Sequence, residues 1–141
     1  MSDSKRDPIT VEVTIKAPIQ KVWNMWNEPN HITKWCFASE DWHAPSAVND
    51  LKVGGKSTTT MAAKDGSVSF DFSWVYTRIN NYELLEYTLE DDRKVSVKFE
   101  TTENGVRVIE TFDPEEINPV EMQRQGWQGI LDNFKKYVEA N

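Results

Sequence analysis

The run NPVEMQRQGWQGILDNFKKYVEAN, Asn118 to Asn141, decides how the rest of the chain has to be arranged. Asn118 is a favoured N-cap, Pro119 suits the first helical position, and Glu121 three residues after the cap closes a capping box. Behind that signal Val120, Trp127, Ile130, Leu131, Phe134, Tyr137 and Val138 recur at three- and four-residue spacing, one apolar stripe on a helix. At 1.5 Å per residue the helix runs about six turns. Asp132, Lys135, Lys136 and Glu139 fall away from the stripe. So long and aromatic a stripe has to be covered. The segments preceding it read as strands, so the natural cover is a curved sheet wrapped around the helix.

Those strands follow from alternation. Ile9, Val11, Val13 and Ile15 alternate with Thr10, Glu12, Thr14 and Lys16, a strand with one buried face. Pro18 breaks it and opens a helix on which Ile19, Val22, Trp23 and Trp26 share a face. Asn27-Glu28-Pro29 restarts a second short helix, with Asn27 as cap and Ile32 and Trp35 inside. Trp42 to Val48 reads as an irregular or edge strand because of Pro45. Leu51 to Gly55 is a turn, Lys56 to Ala63 a strand of small residues, and Asp65-Gly66 a tight hairpin. Ser67 to Ile79 is a long strand with Phe70, Phe72, Trp74 and Tyr76 as an aromatic ladder on one face. Leu85, Tyr87 and Leu89, then Val95, Val97 and Phe99, then Val106 to Phe112 complete the set, with turns at Asn80-Asn81, Asp91-Asp92 and Asn104-Gly105. The expected fold is α+β: a curved antiparallel meander gripping the last helix, with the two short helices closing one end.

For 141 residues, one domain over 9–141 behind a short disordered tail, 1–8, is the expected organisation. The single cysteine, Cys36, rules out an intramolecular disulfide and fits a reducing, cytoplasmic setting. The polar first residues hold no apolar signal core, and no later run is long enough to span a membrane. A net charge of −7 argues against nucleic acid and anionic membrane surfaces as main partners.

The order of elements resembles the START-like, or SRPBCC, superfamily with its helix-grip fold. The finer resemblance is to the family named after the activator of heat-shock protein 90 ATPase. Four stretches carry it: Ile15 to Trp23, His31 to Trp35, Asp50-Leu51-Lys52-Val53-Gly54-Gly55-Lys56, and Gly126 to Phe134. It covers about residues 9 to 139. It implies a fold and a packing scheme, but no shared catalytic residues or cofactor. Where similar proteins carry larger apolar residues after the Gly-Gly turn, this chain has Ser57, Thr59 and Met61. If these point inward, the wall is smaller and more polar, and the space beneath it larger or partly filled by water.

Few residues suggest chemistry. His31 and His43 are the only histidines, and neither has Cys or Glu at metal-ligand spacing. Cys36 reads as a small buried hydrophobe rather than a nucleophile. Gly54-Gly55 lacks the Lys-Ser/Thr pair and the helix of a phosphate loop. The aromatic ladder, with Trp35 and Trp127, is either core alone or core that also lines a ligand cavity. Gln123 shares a helical side with Val120 and Trp127. Glu110 shares parity with Val106, Val108 and Phe112, and Arg78 with Trp74 and Tyr76. Either a bulge or strand end puts these two charges in solvent, or they give an apolar cavity polar handles.

Three functions compete. The first is a non-enzymatic domain binding a small hydrophobic or amphipathic molecule, or a lipid, between sheet and helix. Its expected lining is Trp35, Ser57, Thr59, Met61, Phe72, Trp74, Tyr87, Val97, Val108, Glu110, Gln123, Trp127 and Ile130, with an opening near the second short helix. The second, implied by the family name, is a co-chaperone that stimulates the ATPase of heat-shock protein 90. It is weakened because these residues include no counterpart of the separate N-terminal domain of the eukaryotic activators. The third, a cyclase- or hydrolase-like enzyme, lacks an acid–base pair, since Glu110 stands without a second titrating partner.

Overall fold

A computed structural model describes residues 6–37 and 39–141. In chain order these residues form β1 (Ile9–Ile15), α1 (Ile19–Asn27), α2 (Pro29–Trp35), β2 (Trp42–Asn49), β3 (Lys56–Ala63), β4 (Ser69–Asn80), β5 (Leu84–Leu89), β6 (Lys94–Thr102), β7 (Gly105–Phe112) and α3 (Val120–Ala140). The seven strands make one antiparallel sheet in the order β1-β7-β6-β5-β4-β3-β2. From β2 to β7 each strand pairs with its successor, and β1 then adds to the outer edge of β7. The sheet curls around α3, which packs most closely on β1, while α2 covers β2. This is the helix-grip arrangement that the alternation and the last apolar stripe require.

The alternation survives folding almost unchanged. On β7, Val106, Val108, Glu110 and Phe112 are buried and face α3; on β5, Leu85, Tyr87 and Leu89 do the same. Phe134 and Leu131 of α3 are wholly buried. Phe134 meets Trp26 and Trp35 edge-on at 4.9 and 4.8 Å between ring centroids, so α1, α2 and α3 share one aromatic knot. Pro45 has the expected effect: β2 is an edge strand, and its register with β3 shifts between His43 and Ser46. At the turn before β3, Gly54 takes a φ of +85°, open to glycine at no steric cost. Gly55 is needed for a different reason: a Cβ there would lie 2.1 Å from the Asp50 carbonyl oxygen.

The helix caps depart from expectation. Asn118 does not cap α3. Pro119 occupies the N-cap position with an extended backbone, and no side chain bonds the first turn from there. Instead Asn118 Nδ2 donates to Glu115, and Gln123 organises the entry: its Oε1 accepts from the Glu115 N–H and its Nε2 donates to the Glu115 and Asn118 carbonyls. The Asn118 N–H that a capping box would give to Glu121 goes to Glu115 Oε1 instead, and the inward-facing Gln123 amide holds the loop that carries Glu115 in place. Asn27 likewise ends α1 rather than capping α2, its Nδ2 donating to the Trp23 carbonyl; Glu28 takes the cap position and Pro29 begins the helix. The Asn27 carbonyl accepts from Asn49, whose Oδ1 accepts from the Tyr76 hydroxyl, tying α1 to β2 and β4.

Of the tail expected over residues 1–8, residues 1–5 lie outside the described residues. Arg6 donates to the carbonyls of Glu115, Glu116 and Asn118, so the chain just before β1 lies against the entry to α3. No helix among the described residues is long and apolar enough to cross a membrane.

Candidate functional site

Between the sheet and α3 lies a cavity of about 460 Å³, within the range of small-molecule sites. The inward faces of β3, β4, β5 and β7 supply Met61, Phe72, Trp74, Tyr87 and Glu110. From the helices come Trp26, Trp35, Gln123, Gly126, Trp127 and Ile130. The mouth is bounded by exposed Phe70, Ser39 and Asn118, beside the chain that leaves α2. Alternation puts the strand residues here: inward positions of a curled sheet converge, and a glycine on α3 leaves the helix side open. A Cβ on Gly126 would meet nothing within 4 Å.

The rings pack on one another in stacked, tilted and edge-on pairs. Trp74 stacks on Tyr87 with centroids 4.4 Å apart, and Phe72 meets both Trp74 and Trp127 edge-on at 5.3 and 6.0 Å. Trp35 is fixed by a hydrogen bond from its Nε1 to the Met25 carbonyl, 2.9 Å, and packs on Trp26 at 4.9 Å.

Polar groups are few. Glu110 is 6% exposed and faces inward, with only Val11 and Val97 beside it on the neighbouring strands. Among the described residues it meets neither a cation nor a hydrogen-bond donor. Burial raises its pKa to about 8, so near neutral pH the carboxyl is mostly protonated. Cys36 is pushed up to about 12, first by burial and then by the Glu110 charge. Its thiolate, the reactive form, is therefore scarce. Tyr87 is raised well above the usual phenol range, again by burial first and by Glu110 second. At the mouth, the Asn118 N–H leads the hydrogen bonds that hold Glu115 below the usual carboxylate range, and Arg93 is engaged by Asp91 at 2.7 Å.

Of the thirteen residues expected to line the cavity, Trp35, Met61, Phe72, Trp74, Tyr87, Glu110, Gln123, Trp127 and Ile130 do so. Ser57, Thr59, Val97 and Val108 do not. They point inward but have no exposed surface at all. Ser57 sits opposite Trp74 and Thr59 opposite Phe72 in the β3–β4 register, so each small side chain is matched by a ring that fills the space it leaves. Val97 and Val108 lie in the packed region around Phe99 and Leu85. The smaller, more polar wall is thus packed shut where it was expected to be open. Arg78 is exposed because the β4–β5 register shifts between Tyr76 and Arg78, turning its parity outward; Glu110, on an unbroken strand, stays in.

Sequence reasoning missed Trp26, Cys36, Phe37, Ser39, Trp42, Arg93, Glu115, Asn118 and Gly126, and it placed Phe70 on the ladder but not in the lining. Phe70 shares the parity of the ladder and Gly126 follows Gln123 by three residues, so both signals were present in the sequence. The histidines stand apart: His31 Nδ1 bonds the Tyr137 hydroxyl and His43 is exposed.

The model for the Activator of Hsp90 ATPase homolog 1-like protein family matches residues 16–139. The chain belongs to that family. Through it the chain joins the START-like/SRPBCC superfamily, and the four quoted stretches fall within or overlap the match. A solution structure of an AHSA1-like protein from Aeromonas hydrophila is 46% identical, with a TM-score of 0.90 over 95% of this chain and 93% of that one. A solution structure from Cytophaga hutchinsonii is 59% identical, with a TM-score of 0.81 over 94% and 92%. A Chromobacterium violaceum protein at 20% identity and a TM-score of 0.85, over 96% of this chain and all of that one, shares the fold. A search of curated proteins finds no match.

Proposed function

We propose that this family member is a non-enzymatic binding domain that holds a small hydrophobic or amphipathic molecule between its sheet and α3. The observation that carries this reading is the cavity of about 460 Å³ walled by tryptophan, phenylalanine and tyrosine rings. Filling such a space with an apolar body recovers roughly 25 cal/mol for each Å² removed from water. Glu110 supports binding over catalysis, because no second titrating group among the described residues stands at hydrogen-bond distance to share a proton with it. The single cysteine, buried, fits a reducing, cytoplasmic setting.

The test is native mass spectrometry of gently purified protein, followed by titration with a neutral fluorescent apolar probe. A co-purified small molecule, or saturable quenching of Trp74 and Trp127, is the expected result. Bare protein that also fails to respond to the probe counts against the cavity as a site.

The family's description supports a second reading, a co-chaperone acting on heat-shock protein 90. A family name is not a mechanism. Pull-down of that chaperone, with stimulation of its ATPase, would put this reading ahead.

A further inference from the structure

Glu110 needs an explanation that packing alone does not supply. It occupies the middle of an unbroken strand, flanked by Val11 and Val97, where an apolar residue would cost nothing. A buried carboxyl is expensive to ionise without a partner. Yet it lines the cavity, and among the described residues no hydrogen bond or ion pair offsets its burial.

The groups around it favour one ligand charge. Tyr87 of β5 and Cys36 beyond α2 are the titrating neighbours, both held neutral by burial. α3 contributes uncharged Gln123 and Trp127. Arg93, the cation that lines the cavity, is already engaged by Asp91, and Glu115 at the mouth is ionised. An anionic ligand would therefore meet the ionised Glu115 and no free cation in the described lining, on a chain of net charge −7, with the unpartnered Trp74 Nε1–H as a neutral donor. A cation would meet a carboxyl that can give up its proton to form an ion pair, beside several aromatic rings, whose faces attract positive charge through their quadrupoles.

We propose that the cavity takes a hydrophobic amine: an aromatic or aliphatic body carrying one protonated nitrogen, its ammonium paired with the Glu110 carboxylate and flanked by the rings of Trp74 and Tyr87. The proposal rests on the ligand-binding reading above and names the ligand class. Charge balances simply. The ammonium enters already protonated, the Glu110 carboxyl gives its proton to solvent, and a neutral pair of opposite charges remains buried.

The experiment compares 2-(1-naphthyl)ethylamine with its neutral counterpart 2-(1-naphthyl)ethanol and with 1-naphthylacetic acid, by calorimetry on the full chain. The amine is expected to bind about tenfold more tightly than the alcohol, and the acid more weakly than either. Near pH 7, runs in buffers of different ionisation enthalpy should show about one proton released per amine bound and none for the alcohol. Amine affinity should rise between pH 6 and 8 and then level off, since Glu110 ionises near 8 while a free alkylamine stays charged to about 10. In Glu110→Gln the amine-to-alcohol preference should collapse towards one. Equal binding of amine and alcohol, tighter binding of the acid, or amine binding without proton release overturns the amine assignment while leaving the cavity reading intact. Failure of all three probes overturns both. The proton count is measured on the unmodified protein, so the test stands even if Glu110→Gln folds poorly.

Discussion

Trp127 lies flat against Phe112, ring centroids 3.8 Å apart and planes within 8° of parallel. This stack joins α3 to the last strand, and it sits on the cavity side of the helix. Phe134, two turns on, is wholly buried against Trp26 and Trp35. The two aromatics therefore differ in what their loss leaves behind. Phe134→Ala opens a sealed void and should cost about 3–5 kcal/mol. Trp127→Ala enlarges a space already open to solvent and should cost about 1–3 kcal/mol. Urea denaturation at constant m-value measures both. Equal losses would mean that Trp127 seals a closed core.

The pH dependence of stability should carry a signature of Glu110. In the unfolded chain this carboxyl ionises near 4.5, and in the folded protein near 8. Between those values the folded state holds the extra proton. Stability therefore falls as pH rises across that window, by at most about 1.4 kcal/mol per unit. Below it the protonated carboxyl is buried without charge, and above it the loss is complete. Glu110→Gln removes the dependence, so the variant should be more stable than the parent at pH 8 and lose that advantage towards pH 4.5. Denaturation midpoints measured at half-unit intervals decide it. A difference that does not change with pH would place Glu110 in contact with water or with a counter-charge.

Thr59 offers a test of how dry the wall opposite α3 is. It has no exposed surface, and its Oγ1 finds no hydrogen-bond partner among the described residues. Valine has nearly the same shape and no hydroxyl to desolvate. Thr59→Val should therefore hold or raise stability, by up to about 1–2 kcal/mol. A clear loss would reveal an ordered water bonded to the hydroxyl, and with it a wetter interior behind Phe72.

How much of this could be read in advance differs by level. Strand parity, the stripe on α3 and the demotion of β2 by Pro45 all follow from local pattern, because alternation and helical period act within one element. The site depended on relations between elements. Arg78 and Glu110 were equivalent by parity, and only the shifted register after Tyr76 separates them. Ser57 and Thr59 were correctly turned inward, but whether the space above them is empty depends on Trp74 and Phe72 across the strand pair. The cap of α3 shows the same limit: Asn118 and Glu121 form a sound local motif, but Glu115 takes the Asn118 N–H and side chain, and Gln123 fixes Glu115 from inside the fold.

The contrast between Ser57 and Gly126 gives the sharpest test of the cavity. Both are small and both sit among aromatics. Ser57 is wholly enclosed, with Trp74 directly across from it and its hydroxyl turned to the Val48 carbonyl. An indole placed there has nowhere to go, and overpacking by so many atoms should exceed the usual cost of about 1–3 kcal/mol for added methylenes. Gly126 faces the cavity from α3, and a side chain starting there would find no atom within 4 Å of its Cβ. Gly126→Leu should add apolar contact and remove a helix penalty of about 1 kcal/mol, so the variant stays folded with an equal or higher denaturation midpoint. Because its side chain occupies the ligand's space, quenching of tryptophan fluorescence by a naphthyl probe should disappear. Ser57→Trp should instead lose cooperative unfolding altogether. If Gly126→Leu destabilises the protein as severely as Ser57→Trp, the space beneath α3 is closed in solution, and the surface-binding co-chaperone reading takes the lead.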